Sequence, residues 1–460
     1  MQNNSRWISL GLWALVGLIL LAGTAGWWSA WGMPRASQVS FTILLVAAIL
    51  WISELVPLFV TSFLILFLSS SWLHGAMKAT GLKIDKSLFL TPFFSNIILL
   101  FLGGFVLSAA LRKYRLDERL ARRILLRTGG SPPRVVGAVM VITAFLSMWL
   151  SNTATAAMMI ALCIPLVDHL PEGSDYRRAI FLAIPFSANV GGLGTPIGTP
   201  PNAIAMQYLT RIGEAPGFAS WMALALPFVV LILILIWAIL MWQCRGSTDE
   251  ISVGAEETEM PPLGRAEWFV IAVSIFTVLG WLTGKLHGLP SGTVALIPVL
   301  AFFGPRLLGV RDFRGLSWDV LILMGGGLCL GVGMAESGLA RWFIGQMPTE
   351  GAELSFLVIA FGGAAVAMSS VMSNTATANL IMPIVIGLGL STLSPLLVAV
   401  AFCCSMAMPL PISTPPNAIA FSSGQISVRD MLMPGLIITL AGVGLTFAFG
   451  LWWWRAVGLF

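Results

Sequence analysis

The sequence predicts an all-α polytopic membrane protein written as two inverted-topology repeats, and three observations carry that reading. Of its 460 residues, 57% are hydrophobic and 10% charged, and the mean hydropathy is +0.92. A soluble globular chain carries about 25% charged residues. Next, Ser151-Asn152-Thr153-Ala154-Thr155-Ala156 returns as Ser373-Asn374-Thr375-Ala376-Thr377-Ala378, 222 residues later. Finally, Thr199-Pro200-Pro201-Asn202-Ala203-Ile204-Ala205 returns as Thr414-Pro415-Pro416-Asn417-Ala418-Ile419-Ala420, 215 residues on, and Gly103-Gly104 returns as Gly325-Gly326. Matches kept in one order describe a half-protein written twice.

The chain divides accordingly into an N-terminal transmembrane helix (1–37), a first repeat (38–244), a linker (245–265) and a second repeat (266–460). The first apolar run, 7–31, is too long for a signal peptide, and Trp27, Trp28 and Trp31 resemble an interfacial belt, so it reads as a retained span. Spans follow at 39–53 and 58–72, then a polar connector over 74–91 and a fourth span at 97–111 in which Gly103-Gly104 permits close backbone approach. Residues 112–127 hold seven Lys and Arg against Asp117 and Glu118, which predicts an amphipathic helix on the cytoplasmic surface. Two uncharged runs, 135–167 and 179–210, come next; Gly191-Gly192, Gly194, Gly198 and Pro200-Pro201 break the second, since glycine and proline interrupt a regular helix. A sixth span covers 221–242.

The linker carries Asp249, Glu250, Glu256, Glu257 and Glu259, and the pattern then restarts. Spans at 266–284 and 294–308 precede a basic turn with Arg306, Arg311 and Arg314. A Gly325-Gly326-Gly327 span ends near Glu336, and a short amphipathic piece surrounds Arg341-Trp342. The run 354–428 is 75 residues without one charge, and the last span finishes at Trp452-Trp453-Trp454. The five cysteines form no CxxC pair and read as small buried hydrophobes.

Eight of the 25 Lys and Arg fall over 112–134, so the positive-inside rule puts the amino terminus in the cytoplasm and the carboxyl terminus outside. The expectation is about eleven transmembrane helices, five per repeat plus the first. An odd number per repeat inverts the second copy. The two Ser-Asn-Thr motifs sit mid-way in apolar runs, giving helical arms of roughly 24 Å on either side. Such arms fit either two ordinary spans with a surface loop or a re-entrant hairpin (132–169 and 354–392) with a protein-buried tip. Inverted copies meeting at the midplane bring Asn152 and Asn374 to one site, and a surface loop gives no reason for two identical hexapeptides. Neither Asn is a glycosylation acceptor, because Thr-Ala follows each.

A hairpin tip exposes backbone N–H groups at a helix amino terminus, suited to anionic oxygens. Yet the runs 135–167, 179–210 and 354–428 contain no Lys, Arg or His. A buried dianion needs a positive partner, and carbonyl, Ser and Asn oxygens at the breaks are ligands for a hard cation, so the residues point to Na+. The same runs lack Asp and Glu, which argues against a proton relay and against an intramembrane enzyme. Inverted repeats with broken helices favour alternating access over a channel.

The paired Ser-Asn-Thr and Thr-Pro-Pro-Asn motifs, with Trp51-Ile52-Ser53-Glu54-Leu55-Val56-Pro57 and Val60-Thr61, resemble the divalent anion/sodium symporter (DASS) family over most of the chain. The resemblance implies a bacterial inner (plasma) membrane protein that imports C4-dicarboxylates such as succinate with sodium. It also implies a homodimer whose scaffold and transport domains work as an elevator. By motif, Ser147, Ser151, Asn152 and the Gly198 carbonyl would form one sodium site, and Ser369, Ser373, Asn374 and Ser413 the other. Asn152, Thr153, Thr199, Asn374, Thr375 and Thr414 would contact substrate carboxylates. Gly198 stands where the second copy has Ser413, so the two ion sites should differ if the hydroxyl takes part. A sodium-independent exchanger or a sulfate transporter of the same family is the alternative; an exchanger would place a basic residue where sodium sits.

Overall fold

The computed structural model describes residues 2–81, 84–85, 87–168, 170–171, 173–245, 261–346, 354–388 and 393–458. The expected linker over 245–265 and the end of the second hairpin at 389–392 fall largely outside them. Among the described residues the regular elements are all helical. Among those residues, eight helices are long and apolar enough to cross a membrane, and the other apolar helices are shorter.

The first group comprises α1 (Gln2–Ala25), α2 (Arg35–Ser53), α3 (Leu58–Ala79) and α4 (Asn96–Lys113). α3 runs through a π turn at Ser69–Leu73, so the polar connector starts later than its composition suggests. α4 is capped by the Ser95 hydroxyl, which accepts from the Ile98 N–H. The surface helix expected over 112–127 is shorter: Arg112 and Lys113 finish α4, Arg115 turns the chain with φ 51°, and α5 spans Leu116–Leu125. That turn lets α5 bury Leu116, Ala121 and Leu125 while keeping Arg123 in solvent.

The Ser-Asn-Thr segments each separate two antiparallel helices. α6 (Pro132–Ser147) and α7 (Asn152–Val167) are 16 residues each, so an arm measures roughly 24 Å, short of the ~30 Å hydrocarbon core. The chain continues as α8 (Asp175–Gly191), a 3-10 turn at Gly192–Gly194, α9 (Pro200–Arg211) and α10 (Phe218–Gln243). The second half runs α11 (Arg265–Leu282), α12 (Ser291–Phe303), α13 (Val310–Arg314), α14 (Trp318–Glu336) and α15 (Leu339–Gln346). It then repeats the hairpin and break as α16 (Leu354–Ser369), α17 (Asn374–Gly387), α18 (Ser394–Ser405), α19 (Pro415–Ser422) and α20 (Val428–Ala456).

The breaks have a local chemical logic. Thr199 and Thr414 are extended, with φ −148° and −145°, and two prolines open the following helix in each copy. Proline suits the first helical turn, where its missing N–H had no intrahelical partner. Carbonyls freed before the break need donors, and the motif asparagine supplies them. Asn202 Nδ2 reaches the carbonyls of Gly192 (3.0 Å), Leu193 (3.2 Å) and Thr195 (2.8 Å), and Asn417 Nδ2 those of Met408 (3.1 Å) and Leu410 (3.0 Å). The repeated glycines mark close approaches: a Cβ on Gly103 would lie 2.4 Å from the Ala295 carbonyl, and one on Gly326 2.3 Å from Ser62.

Candidate functional site

The first three residues of both hexapeptides and the starts of both Thr-Pro-Pro-Asn segments line one cavity of about 730 Å³. Ser151, Asn152 and Thr153 reach it from the first hairpin and Ser373, Asn374 and Thr375 from the second; Gly198, Thr199, Ser413 and Thr414 come from the two breaks. Ser147 and Ser369 sit beneath, fully buried. The rest of the wall includes the end of α2 (Ile52 to Glu54), Phe101, Gly104, Phe105 and Ser108 of α4, Asn189 of α8, and Ser317 and Val320. Glu54 is the one charged side chain among the described lining residues.

Each tip is a helix start. The Ser151 and Ser373 hydroxyls accept from the N–H of Ala154 (3.4 Å) and Ala376 (3.1 Å), and the other first-turn N–H groups have no carbonyl of their own helix to bond. The Pro-Pro starts of α9 and α19 contribute fewer donors, so the backbone N–H groups suited to an anion are concentrated at the two hairpin tips.

Behind each tip lies the same oxygen cluster. Ser147 Oγ is 2.5 Å from Asn152 Oδ1 and 2.7 Å from the Ala188 carbonyl; Ser369 Oγ is 2.6 Å from Asn374 Oδ1 and 2.8 Å from the Cys404 carbonyl. A hydroxyl has one proton to share between two acceptors. In the first copy, a Cβ built on Gly192 would meet both Asn152 amide atoms at 2.9 Å and the Gly198 carbonyl at 3.1 Å. That space, kept open by glycine and bordered by the Asn152 Oδ1 and Gly198 carbonyl oxygens as well as the Asn152 amide nitrogen, could take a small hard cation with the two oxygens as ligands.

The copies differ. Thr195 Oγ1 donates to the Met148 carbonyl (2.6 Å) at the first tip, whereas Ser413 Oγ donates to the Ser370 carbonyl (3.2 Å) at the second. The Ser413 proton therefore tethers a hairpin, and only its lone pairs are left for an ion. Asn189 was not visible as a site residue in the sequence, yet its Nδ2 crosses between repeats to Thr414 Oγ1 (3.0 Å) and Asn417 Oδ1 (3.2 Å). Thr414 Oγ1 also accepts from the Asn417 N–H (3.3 Å), so its proton is free to point at an anion. The Thr199 side chain caps nothing. A polar residue in the uncharged run 179–210 was the signal available for Asn189, and the hexapeptides overshadowed it.

The cavity walls extend toward the ends of α2 and α4 and the start of α14, and the basic residues Arg112, Lys113, Arg311 and Arg314 lie within six residues in sequence of the lining residues Ser108 and Ser317. At the other end, bonds close the gap between α9, α17 and their neighbours. Ser95 Oγ meets Gln207 Oε1 (3.1 Å), Tyr208 Oη donates to the Gly327 carbonyl (3.4 Å), Arg211 pairs with Glu336 (3.1 Å) and Asn379 Nδ2 donates to the Leu323 carbonyl (3.1 Å).

Comparison with known proteins decides the family, because the citrate transporter family matches residues 48–393. The chain belongs to the citrate transporter family, of the DASS type. It is 33% identical to the sodium-dependent dicarboxylate transporter SdcS of Staphylococcus saprophyticus, over 85% of this chain and 81% of that protein. The Staphylococcus aureus SdcS is 31% identical over 89% of this chain and 84% of that one. Among solved structures, the Alcanivorax borkumensis YdaH transporter aligns with TM-score 0.57 at 13% identity, covering 84% of this chain and 89% of that chain. At that identity the likeness speaks for the fold. This member of the family is thus a multi-pass membrane transporter.

Proposed function

We propose that the protein is a sodium-coupled symporter that imports C4-dicarboxylates of the succinate type by elevator-like alternating access. One observation carries this: two matching Ser–Asn–carbonyl oxygen clusters lie directly behind two helix starts in one cavity, and among the described residues no basic side chain lines that cavity. Each helix start contributes roughly half a positive charge, so two of them balance about one of the two negative charges of a dicarboxylate. Sodium at the oxygen clusters supplies the rest. Ser147, Ser151, Asn152 and the Gly198 carbonyl take one ion, and Ser369, Ser373, Asn374 and Ser413 the other. Asn152, Thr153, Asn374, Thr375 and Thr414 hold the carboxylates, with Thr199 beside them. The basic end is assigned to the cytoplasm of a cell whose inner membrane holds the protein. The sodium-dependent names of its relatives support the coupling.

Two tests follow. Reconstituted protein should take up succinate when driven by sodium and fall to background in potassium or choline at fixed pH. Uptake that persists in choline would promote the exchanger, and sulfate uptake outpacing succinate would promote the sulfate carrier. The glycine beside the first cluster gives the second test. Gly192→Ala puts a methyl group into the cation space, an overpacking cost of about 1–3 kcal/mol. The sodium concentration giving half-maximal uptake should rise roughly tenfold or more. An unchanged sodium curve would remove the first cluster from the ion path.

A further inference from the structure

Glu54 stands out on two independent counts. It is the one formally charged side chain among the described residues lining the cavity, in a wall otherwise made of apolar, hydroxyl and amide groups. It also holds a left-handed backbone, φ 50° and ψ 29°, directly after α2. Side chains with a Cβ pay for that conformation, and glycine adopts it freely. The turn is held firmly: Trp51, fully buried, donates from Nε1 to the Leu58 carbonyl (3.2 Å) across it. Strain of this kind gathers at functional positions. A turn that glycine would relax is instead occupied by the one charged residue among the described residues lining the cavity.

We propose that Glu54 is a charge filter: its field opposes each negative charge entering the cavity, sets the upper limit on substrate charge, and favours cations there before the anion binds. A fixed charge acts on a permeant ion in proportion to that ion's charge, so the filter leaves a signature that a steric or folding role lacks. If neutralising Glu54 improves binding of a monoanion by some factor, a dianion gains that factor squared and a trianion that factor cubed. Through a water-filled, salt-screened cavity the factor is roughly two- to fourfold per unit charge. The identity of the anion rests on the symporter reading; the field does not.

The field can be read without transport. The five native cysteines are buried, so Ser317→Cys, in the cavity wall, provides a single reactive thiol. Its modification by cationic and by anionic methanethiosulfonate reagents reports the local potential as a ratio of rates. Glu54→Gln should lower the cation-to-anion ratio several-fold. Glu54→Gly, which also relieves the backbone, should match it, and Glu54→Asp should stay near the parent value. In proteoliposomes with Ser317 intact, competition by propionate, succinate and tricarballylate at fixed pH should then show Glu54→Gln gains that grow with charge and shrink in high salt. An unchanged labelling ratio overturns the filter whatever the transporter carries. Equal gains for the three carboxylates overturn it too, and a change confined to Glu54→Gly reassigns the residue to backbone strain. Failure of the symporter reading shows separately, as absent sodium-driven uptake with Glu54 in place.

Discussion

Asn152→Ala should lower succinate uptake by about 10²-fold, Asn374→Ala by a similar factor, and the double variant by little more than either alone. The size follows from the contacts each amide makes. Each places its oxygen 2.5–2.6 Å from a buried serine hydroxyl and opens a helix whose start faces the shared cavity. Losing a hydrogen bond to a charged species costs about 1.5–3 kcal/mol, which is roughly ten- to a hundredfold, and the same side chain serves both ion and substrate. Residues that act on one site couple, so their losses do not add. The check is initial uptake rate at saturating sodium, with protein yield and thermal stability measured on the same preparations. Full activity in either single variant, with normal stability, would show that the two tips do not serve one site.

Much of this arrangement was legible in the sequence, and for a definite reason. Duplication converts a polar residue in lipid from an anomaly into a pattern, so Asn152 and Asn374 pointed to each other before any fold was known. Proline and glycine placed the breaks, because no regular helix contains Gly198-Thr199-Pro200-Pro201. What stayed hidden lies in asymmetry and in contacts distant along the chain. Asn189 bonds Thr414, 225 residues away, and no local pattern announces it. Ser413 differs from Gly198 on paper as an added ligand, and the fold adds what no pattern announces, that its hydroxyl also donates to the Ser370 carbonyl of the second hairpin. The motif asparagines Asn202 and Asn417 turn out to brace the breaks by donating to freed carbonyls, a job set by backbone geometry. The charged stretch over 112–127 read as one helix because composition does not reveal a left-handed turn at Arg115.

The closed end of the cavity gives the second large effect. On α14, a Cβ at Gly331 would lie 2.0 Å from Tyr208 Oη, and one at Gly327 1.8 Å from Asn379 Oδ1. These two glycines, four residues apart on one helical face, let α9 and α17 close against α14. The Arg211–Glu336 pair nearby is partly exposed, with side-chain accessibility of 31% and 41%, so it contributes about 0–1 kcal/mol. Overpacking at a glycine contact costs about 1–3 kcal/mol and wins that comparison. Under alternating access the cost falls on this state alone, since the methyl group has room once the seam parts; only such a difference between states moves a population. Gly331→Ala should therefore shift the balance away from the cavity-open state by about ten- to a hundredfold, while Arg211→Ala shifts it by less than about fivefold. Labelling of Ser317→Cys reads that population directly and should slow accordingly in Gly331→Ala. Tyr208→Phe removes the nearest clashing atom and should restore part of the rate in the double variant. Labelling that stays at the parent rate in Gly331→Ala would mean that α9 and α14 do not separate during the cycle, and the proposed elevator-like movement would have to run along a different surface.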